Sequence, residues 1–306
     1  MTEIRKFALR MDAPSDVPEA EHVWPEGVAS YEPEANNDDA PQERGEIYHD
    51  RFVFNIRVPK FYAFPAPKEN NTGKAIVICP GGGYCGVSFD REGCEVARFF
   101  NSLGISAFVL RYRIPMPDGR LGLLKDGPLS DALRTIRIVR SRAAQYGIDP
   151  EKVGIMGFSS GGHVAATAST LYDTLEDPNP ALNTISARPS FAILIYPVIS
   201  LYEGYCHQGS RHNLLGAAPS FDLMKKYSPE RQVTKETPPT YISLTEDDEV
   251  QPLNSLNYYK ALLEHQVPAE LHIYTEGGHG YGLRSTGIGV DAWPDNLAKW
   301  LQRGEK

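Results

Sequence analysis

A serine set among glycines, a histidine set among glycines and a run of four acidic residues supply the reactive groups of this chain. Gly157-Phe158-Ser159-Ser160-Gly161 closes the apolar run Val153–Met156. A buried strand turning sharply into a helix leaves one hydroxyl standing above the sheet, and the turn needs small residues where it meets its neighbours. That is the nucleophile-elbow spacing G-x-S-x-G. Ser159 holds its centre, so Ser160 is the weaker nucleophile and its backbone N–H is the part placed to stabilise an oxyanion. The small residues Ala165, Ala166 and Ala168 continue as a helix whose positive end faces the site. An isolated match of this kind is most often a plain turn; the strand before it and the helix after it favour the elbow.

An acyl-transfer site also needs a base, a group to orient that base, and N–H donors for the developing oxyanion. Lys74–Pro80 reads as an apolar strand running into Gly81-Gly82-Gly83-Tyr84. Three glycines after a strand can turn bare N–H groups toward a carbonyl, as in HGGG-type loops, with Pro80 in place of the histidine. A phosphate loop is the competing reading, and both the P-loop ending and G-x-G-x-x-G at a helix start are absent. The acid is sought in Glu246-Asp247-Asp248-Glu249, at the end of a β-rich run and before Pro252; Asp248 is preferred and Asp247 is second. A solvated acidic loop is the plain alternative. The base is His279, in the loop Glu276-Gly-Gly-His-Gly-Tyr-Gly282. His163 is its rival, but it falls inside the elbow helix, where packing or capping explains it. His207, His212, His265 and His272 have no comparable setting. The order serine, aspartate, histidine is that of α/β-hydrolases.

These groups need elements to hold them. Strand and helix patterns alternate through most of the chain: a helix over Arg91–Asn101, a strand over Ile105–Tyr112, and an apolar helical stripe of Leu129, Ala132, Leu133, Ile136 and Val139. Arg134, Arg137 and Arg140 are expected on that helix's solvated face. A buried strand over Phe191–Tyr196, a helix opened by Pro252, a half-buried strand over Glu270–Thr275 and a last helix over 294–303 complete the series. This predicts an α/β fold: a mostly parallel central sheet with helices on both faces, and active groups beyond the carboxyl ends of its strands. Asp50–Pro59 and Lys60–Phe64 suggest an opening antiparallel hairpin. Residues 1–45, rich in Pro, Glu, Asp and Asn, are expected to form an irregular arm before a catalytic domain spanning 46–306. Residues of about 199–233 read as irregular chain that interrupts the alternation and are expected to form a small lid or substrate-shaping insertion.

Composition narrows the function. A chain of 306 residues can bury a large core, and a net charge of −8 argues against nucleic acid or an anionic membrane as partner. No apolar run is long enough to span a bilayer. The first residues lack a signal-peptide core, so a cytoplasmic location is expected; a sequence trimmed of its leader would read the same. Cys79, Cys85, Cys94 and Cys206 have neither metal-ligand spacing nor disulfide density and are expected to be reduced packing residues.

Several motifs in fixed order resemble the α/β-hydrolase-fold carbohydrate esterases that include acetylxylan esterases: Cys79-Pro-Gly-Gly-Gly-Tyr84, Glu92-Gly with Ala97, Arg111-Tyr-Arg113, Gly157-Phe-Ser-Ser-Gly-Gly-His163, Pro238-Pro239, Asp248-Glu-Val250 and Gly277-Gly-His-Gly280. The resemblance runs from about residue 50 to 303. It implies the α/β-hydrolase fold, a Ser159–Asp248–His279 triad, oxyanion N–H groups at Gly82, Gly83 and Ser160, no cofactor, and a small acylated carbohydrate as substrate. Where the family often has alanine this chain has Ser160, which leaves the backbone donor in place. Tyr84, Tyr281 and Trp293 are candidates to stack on a pyranose, with core packing as the alternative for each. A short-chain carboxylesterase or feruloyl esterase is the second reading, and a non-catalytic binding protein of the same fold is the third. The oligomeric state is not legible.

Overall fold

The computed structural model describes residues 17–27, 51–115 and 124–303. Ten strands are present among them: β1 Ala20–His22, β2 Phe52–Phe54, β3 Lys60–Phe64, β4 Ala75–Cys79, β5 Gly86–Ser88, β6 Ser106–Arg111, β7 Val153–Phe158, β8 Ala192–Ile195, β9 Thr240–Thr245 and β10 Ala269–Tyr274. The helices that matter for the site are α1 Glu95–Ser102, α2 Gly127–Ser141, α3 Ser159–Thr170, α4 Gln208–Leu215, α5 Phe221–Lys226, α6 Leu253–Glu264 and α7 Trp293–Gln302.

Eight strands make one sheet in the order β1-β3-β6-β4-β7-β8-β9-β10. The six from β6 to β10 run parallel, while β3 is antiparallel to both β1 and β6. The central strands β4, β6, β7, β8 and β9 are buried along their whole length, as near-continuous apolar sequence requires of strands covered on both faces. Successive residues of β7 show the two layers. A Cβ on Gly157 would meet α3 at Gly161, whereas the ring of Phe158 packs 6.3 Å from Trp293 of α7. Adjacent side chains leave a strand on opposite faces, so α3 and α7 cover opposite sides of the sheet. Phe99 extends the α7 layer to α1, with ring centroids 6.5 Å apart.

The α/β expectation holds, and four local readings are corrected. Residues 52–54 do not form a hairpin with 60–64; β2 pairs antiparallel with β5 in a separate two-stranded sheet, because its partner lies beyond the next strand and the glycine loop. The arm is not wholly irregular: β1 is the edge strand beside β3, and Val23 is fully buried. The remainder of that arm, residues 1–16 and 28–45, lies outside the described residues, as do residues 46–50 of the expected hairpin and domain start. Arg134 and Arg137 are buried rather than solvated. Arg134 pairs with Asp177 at 3.2 Å and lies 4.1 Å from the Trp24 ring. The stretch 199–233 contains helices α4 and α5 rather than irregular chain. Among the described residues no helix is long and apolar enough to cross a membrane.

Candidate active site

The elbow is built as its sequence requires. β7 ends at Phe158 and α3 begins at Ser159, which takes a left-handed backbone with φ +51°. Such a conformation is strained for a residue with a side chain and persists only where the surroundings enforce it. The enforcement comes from close packing: a Cβ on Gly157 would lie 2.0 Å from the Gly161 carbonyl oxygen, and one on Gly161 would lie 2.0 Å from that of Cys79. The turn therefore sits against both its own helix and the end of β4.

Three loops at the carboxyl ends of β7, β9 and β10 converge here. His279 Nε2 is 2.8 Å from Ser159 Oγ, and His279 Nδ1 is 2.8 Å and 3.0 Å from the two carboxylate oxygens of Asp248. Asp248 is held in turn by the Val250 N–H at 2.7 Å. A carboxylate accepts only, so Nδ1–H donates to Asp248 and Nε2 faces the serine hydroxyl as an acceptor. Asp247, the second candidate, has a different task. It accepts the N–H groups of Gly277 at 3.2 Å and Gly278 at 2.8 Å, bracing the loop that carries His279. Those bonds, Gly278 foremost, hold its carboxyl below the usual aspartate range.

Burial alone would lower the His279 pKa, but the Asp248 hydrogen bond and charge, with Glu92 and Glu249 beyond, raise it above its ordinary value. His163, the rival base, is fully buried, and desolvation pushes its pKa down to about 3. Its Nε2–H donates to the Tyr227 carbonyl at 2.8 Å, and its Nδ1 accepts the Tyr84 hydroxyl at 2.6 Å. It therefore ties the elbow helix to the glycine loop and to the end of α5.

The glycine loop is fastened at several points. Gly81 N–H donates to Glu92 Oε2 at 2.7 Å, and the Tyr196 hydroxyl donates to Glu92 Oε1 at 2.9 Å. Glu92 is buried, which raises its pKa against the opposing pull of these bonds. Ser160 Oγ accepts the N–H groups of Gly82 at 3.1 Å and Tyr84 at 3.4 Å, and Asn213 of α4 donates to the Gly83 carbonyl at 2.8 Å. Of the three expected oxyanion donors, the Gly82 N–H is thus already engaged by the Ser160 side chain. Those of Gly83 and Ser160 have no protein acceptor among the described residues.

The three aromatic candidates for a sugar platform are corrected. Tyr84 is 1 % exposed, Trp293 0 % and Tyr281 6 %. Their polar ends or faces are used internally: the Tyr84 hydroxyl on His163, the Trp293 N–H on the Gly282 carbonyl at 2.8 Å, and Tyr281 edge-on to Tyr196 at 4.6 Å. Cys79, Cys94 and Cys206 are buried free thiols as expected, but Cys85 is exposed beside the glycine loop.

A cleft of about 410 Å³ opens over Ser159 and His279. Beyond the catalytic loops it is lined by Phe52, Cys85, Arg91, Glu92, His207 and Glu249. His207 had no functional reading from sequence, and Glu249 had one only as a member of the four-residue acidic run; only the fold of the 199–233 insertion carries His207 to the cleft. A second cavity, of about 480 Å³, lies at the opposite ends of the strands, near Lys74, Phe191, Pro239 and Ala269, and contains none of these groups. The smaller cleft is the candidate site: it holds Ser159 and His279 and lies beyond the carboxyl ends of the strands, where open α/β sheets bind ligands.

Fold and site together define an α/β-hydrolase of the serine esterase class. The chain belongs to the BD-FAE family, whose model matches residues 63–262. It is 36% identical over 239 residues to an acetylxylan esterase of Xylanibacter ruminicola, covering 76% of this chain and 46% of that protein. It is 37% identical over 225 residues to endo-1,4-beta-xylanase B of Butyrivibrio fibrisolvens, covering 73% of this chain and 34% of the other. The chain therefore spans less than half the length of these two curated relatives. Among solved structures it resembles an acetyl ester-xyloside bifunctional hydrolase from Caldicellulosiruptor lactoaceticus, with TM-score 0.76, 34% identity, and coverage of 94% of this chain and 98% of that one.

Proposed function

We propose that the protein removes O-acetyl groups from xylan-derived or related oligosaccharides through a Ser159 acyl-enzyme. The observation that carries this reading is the unbroken relay from Asp248 through His279 to Ser159 Oγ, each contact at 2.8 Å, at the floor of an open cleft. The relatives named above support the acetylated-sugar substrate.

In this mechanism Ser159 Oγ attacks the ester carbonyl as its proton passes to His279 Nε2. Asp248 holds the ring in the required tautomer and stabilises the imidazolium. The Gly83 and Ser160 N–H groups receive the oxyanion, at the positive end of α3. His279 then returns the proton to the sugar oxygen as the C–O bond breaks. Water, deprotonated by His279, then attacks the acetyl-serine carbonyl; the C–Oγ bond breaks as His279 returns that proton to Ser159 Oγ, and acetate leaves.

The cleft lining favours a short acyl group over a feruloyl one. Phe52 is the one phenylalanine, tyrosine or tryptophan among its lining residues, so the cleft offers a single benzenoid ring to stack on a feruloyl group. The test is a comparison of kcat/KM for acetylated xylo-oligosaccharides, 4-nitrophenyl acetate, 4-nitrophenyl butyrate and methyl ferulate. Rapid acetate release from the oligosaccharide, with methyl ferulate untouched, is the expected result. Turnover of the nitrophenyl esters alone would reduce the reading to a general short-chain carboxylesterase.

A further inference from the structure

His207 ends the segment that leaves β8 and caps the first turn of α4. Its Nδ1 accepts the Ser210 backbone N–H at 3.2 Å and contacts Ser210 Oγ at 2.8 Å. A backbone N–H can only donate, so Nδ1 carries no proton and Nε2 does. Burial, and then the His279 ring, keep the His207 pKa below the ordinary histidine value, so the ring is neutral. Nε2–H has no acceptor among the described residues, and His207 lines the cleft over Ser159. The cap thus turns a histidine into a fixed neutral donor beside the reacting groups.

Glu249 follows the triad aspartate directly. Its side chain is exposed, lines the same cleft and has no hydrogen-bond or ion-pair partner among the described residues. Its charge reaches both His279 and His207. The departing alcohol takes its proton from His279, so groups gathered around that ring face the alcohol half of the ester rather than the acyl half. A donor and an anionic acceptor placed there match neighbouring hydroxyls of a sugar, which both accept and donate.

We propose that His207 Nε2–H and the Glu249 carboxylate are a specificity pair that binds free hydroxyls of the sugar bearing the ester. The proposal rests on the deacetylase reading above. A simple alkyl or aryl ester offers this pair nothing, so the pair separates sugar esters from others through binding of the alcohol.

The test uses the whole protein with His207→Asn and Glu249→Gln. Asparagine is a good N-cap and keeps the Ser210 bond, but is too short to bring its amide to the position of Nε2. Glu249 is exposed, so Glu249→Gln keeps the test open if the His207 variant fails to fold. The readout is the ratio of kcat/KM on an acetylated xylo-oligosaccharide to that on 4-nitrophenyl acetate. Each variant should lower the ratio by about ten-fold, the loss of one good hydrogen bond to a charged or well-placed partner, with the change carried mainly by KM for the oligosaccharide. A ratio that stays constant, whether both activities hold or both fall together, would overturn the proposal. If the unmodified protein releases no acetate from the oligosaccharide, the deacetylase reading falls and the pair with it. Release with an unchanged ratio removes the pair alone.

Discussion

Among the described residues the Ser159 hydroxyl makes its side-chain hydrogen bond to His279, so it can be removed while the Cβ stays in place and the glycines around it still enforce the elbow. Ser159→Ala should abolish ester turnover and leave the thermal unfolding midpoint within a few degrees of the parent. Asp248→Asn should keep the geometry but put the wrong proton on the ring, lowering kcat by a factor on the order of 10⁴. The pH dependence follows from the raised His279 pKa. The base works only when neutral, so kcat/KM should fall as pH drops through that pKa, with the midpoint above the ordinary value of 6.5. A midpoint below that value would contradict the Asp248–His279 pairing. These residues were legible because their settings are local in the chain: a serine in a G-x-S-x-G turn with an apolar strand just before it and a small-residue helix just after it, and a histidine between glycines at the end of a strand. His207 was not, since nothing in Cys206-His-Gln-Gly-Ser210 shows that a cap will fix its tautomer or that α4 will stand over the cleft.

The loops that carry the site are held by their neighbours rather than by their own sequence. Glu92 links two of them. It takes the Gly81 N–H directly, and it takes the hydroxyl of Tyr196, whose ring lies 4.9 Å from that of His279 and whose oxygen accepts the Gly282 N–H at 3.2 Å. It is a positioning residue for both the oxyanion loop and the histidine loop. Glu92→Gln keeps the size but removes a negative charge that raises the His279 pKa, so the acid limb of the pH profile should move to lower pH as kcat falls; an unmoved limb would mean a role in folding only. Ser160→Ala removes the acceptor from the N–H groups of Gly82 and Tyr84. The expected result is a loss of kcat of about ten-fold, near the upper end of what one neutral hydrogen bond contributes, with KM little changed. At this scale the parallel strands were legible from their apolar runs. The hairpin of 52–64 was misread because alternation shows that a strand exists and not which strand it joins; β2 finds β5 only after the chain has passed through β3 and β4.

Across the molecule, the described part of the N-terminal arm acts on the side of the sheet edge and α2, not at the cleft. Trp24 donates to Asp131 at 2.7 Å and lies over the buried Arg134, while Asp131 also holds Arg113 at 2.7 Å. Trp24→Ala should therefore cost about 1–3 kcal/mol, less than a full core tryptophan, and lower the melting temperature by several degrees. Activity at moderate temperature should be unaffected. The buried arginines of α2 show why the sequence misled: Arg134 and Arg137 lie opposite the apolar stripe, as a solvated face would, but Asp177, Trp24 and the carbonyls of Leu175 and Ile185 arrive from distant segments to cover them. The measurement that tests the central claim most directly is peptide mapping after reaction with an organophosphonate ester. One adduct on Ser159, formed in step with complete loss of esterase activity, is the predicted result. Labelling of Ser160 or of no serine, with activity lost, would contradict it.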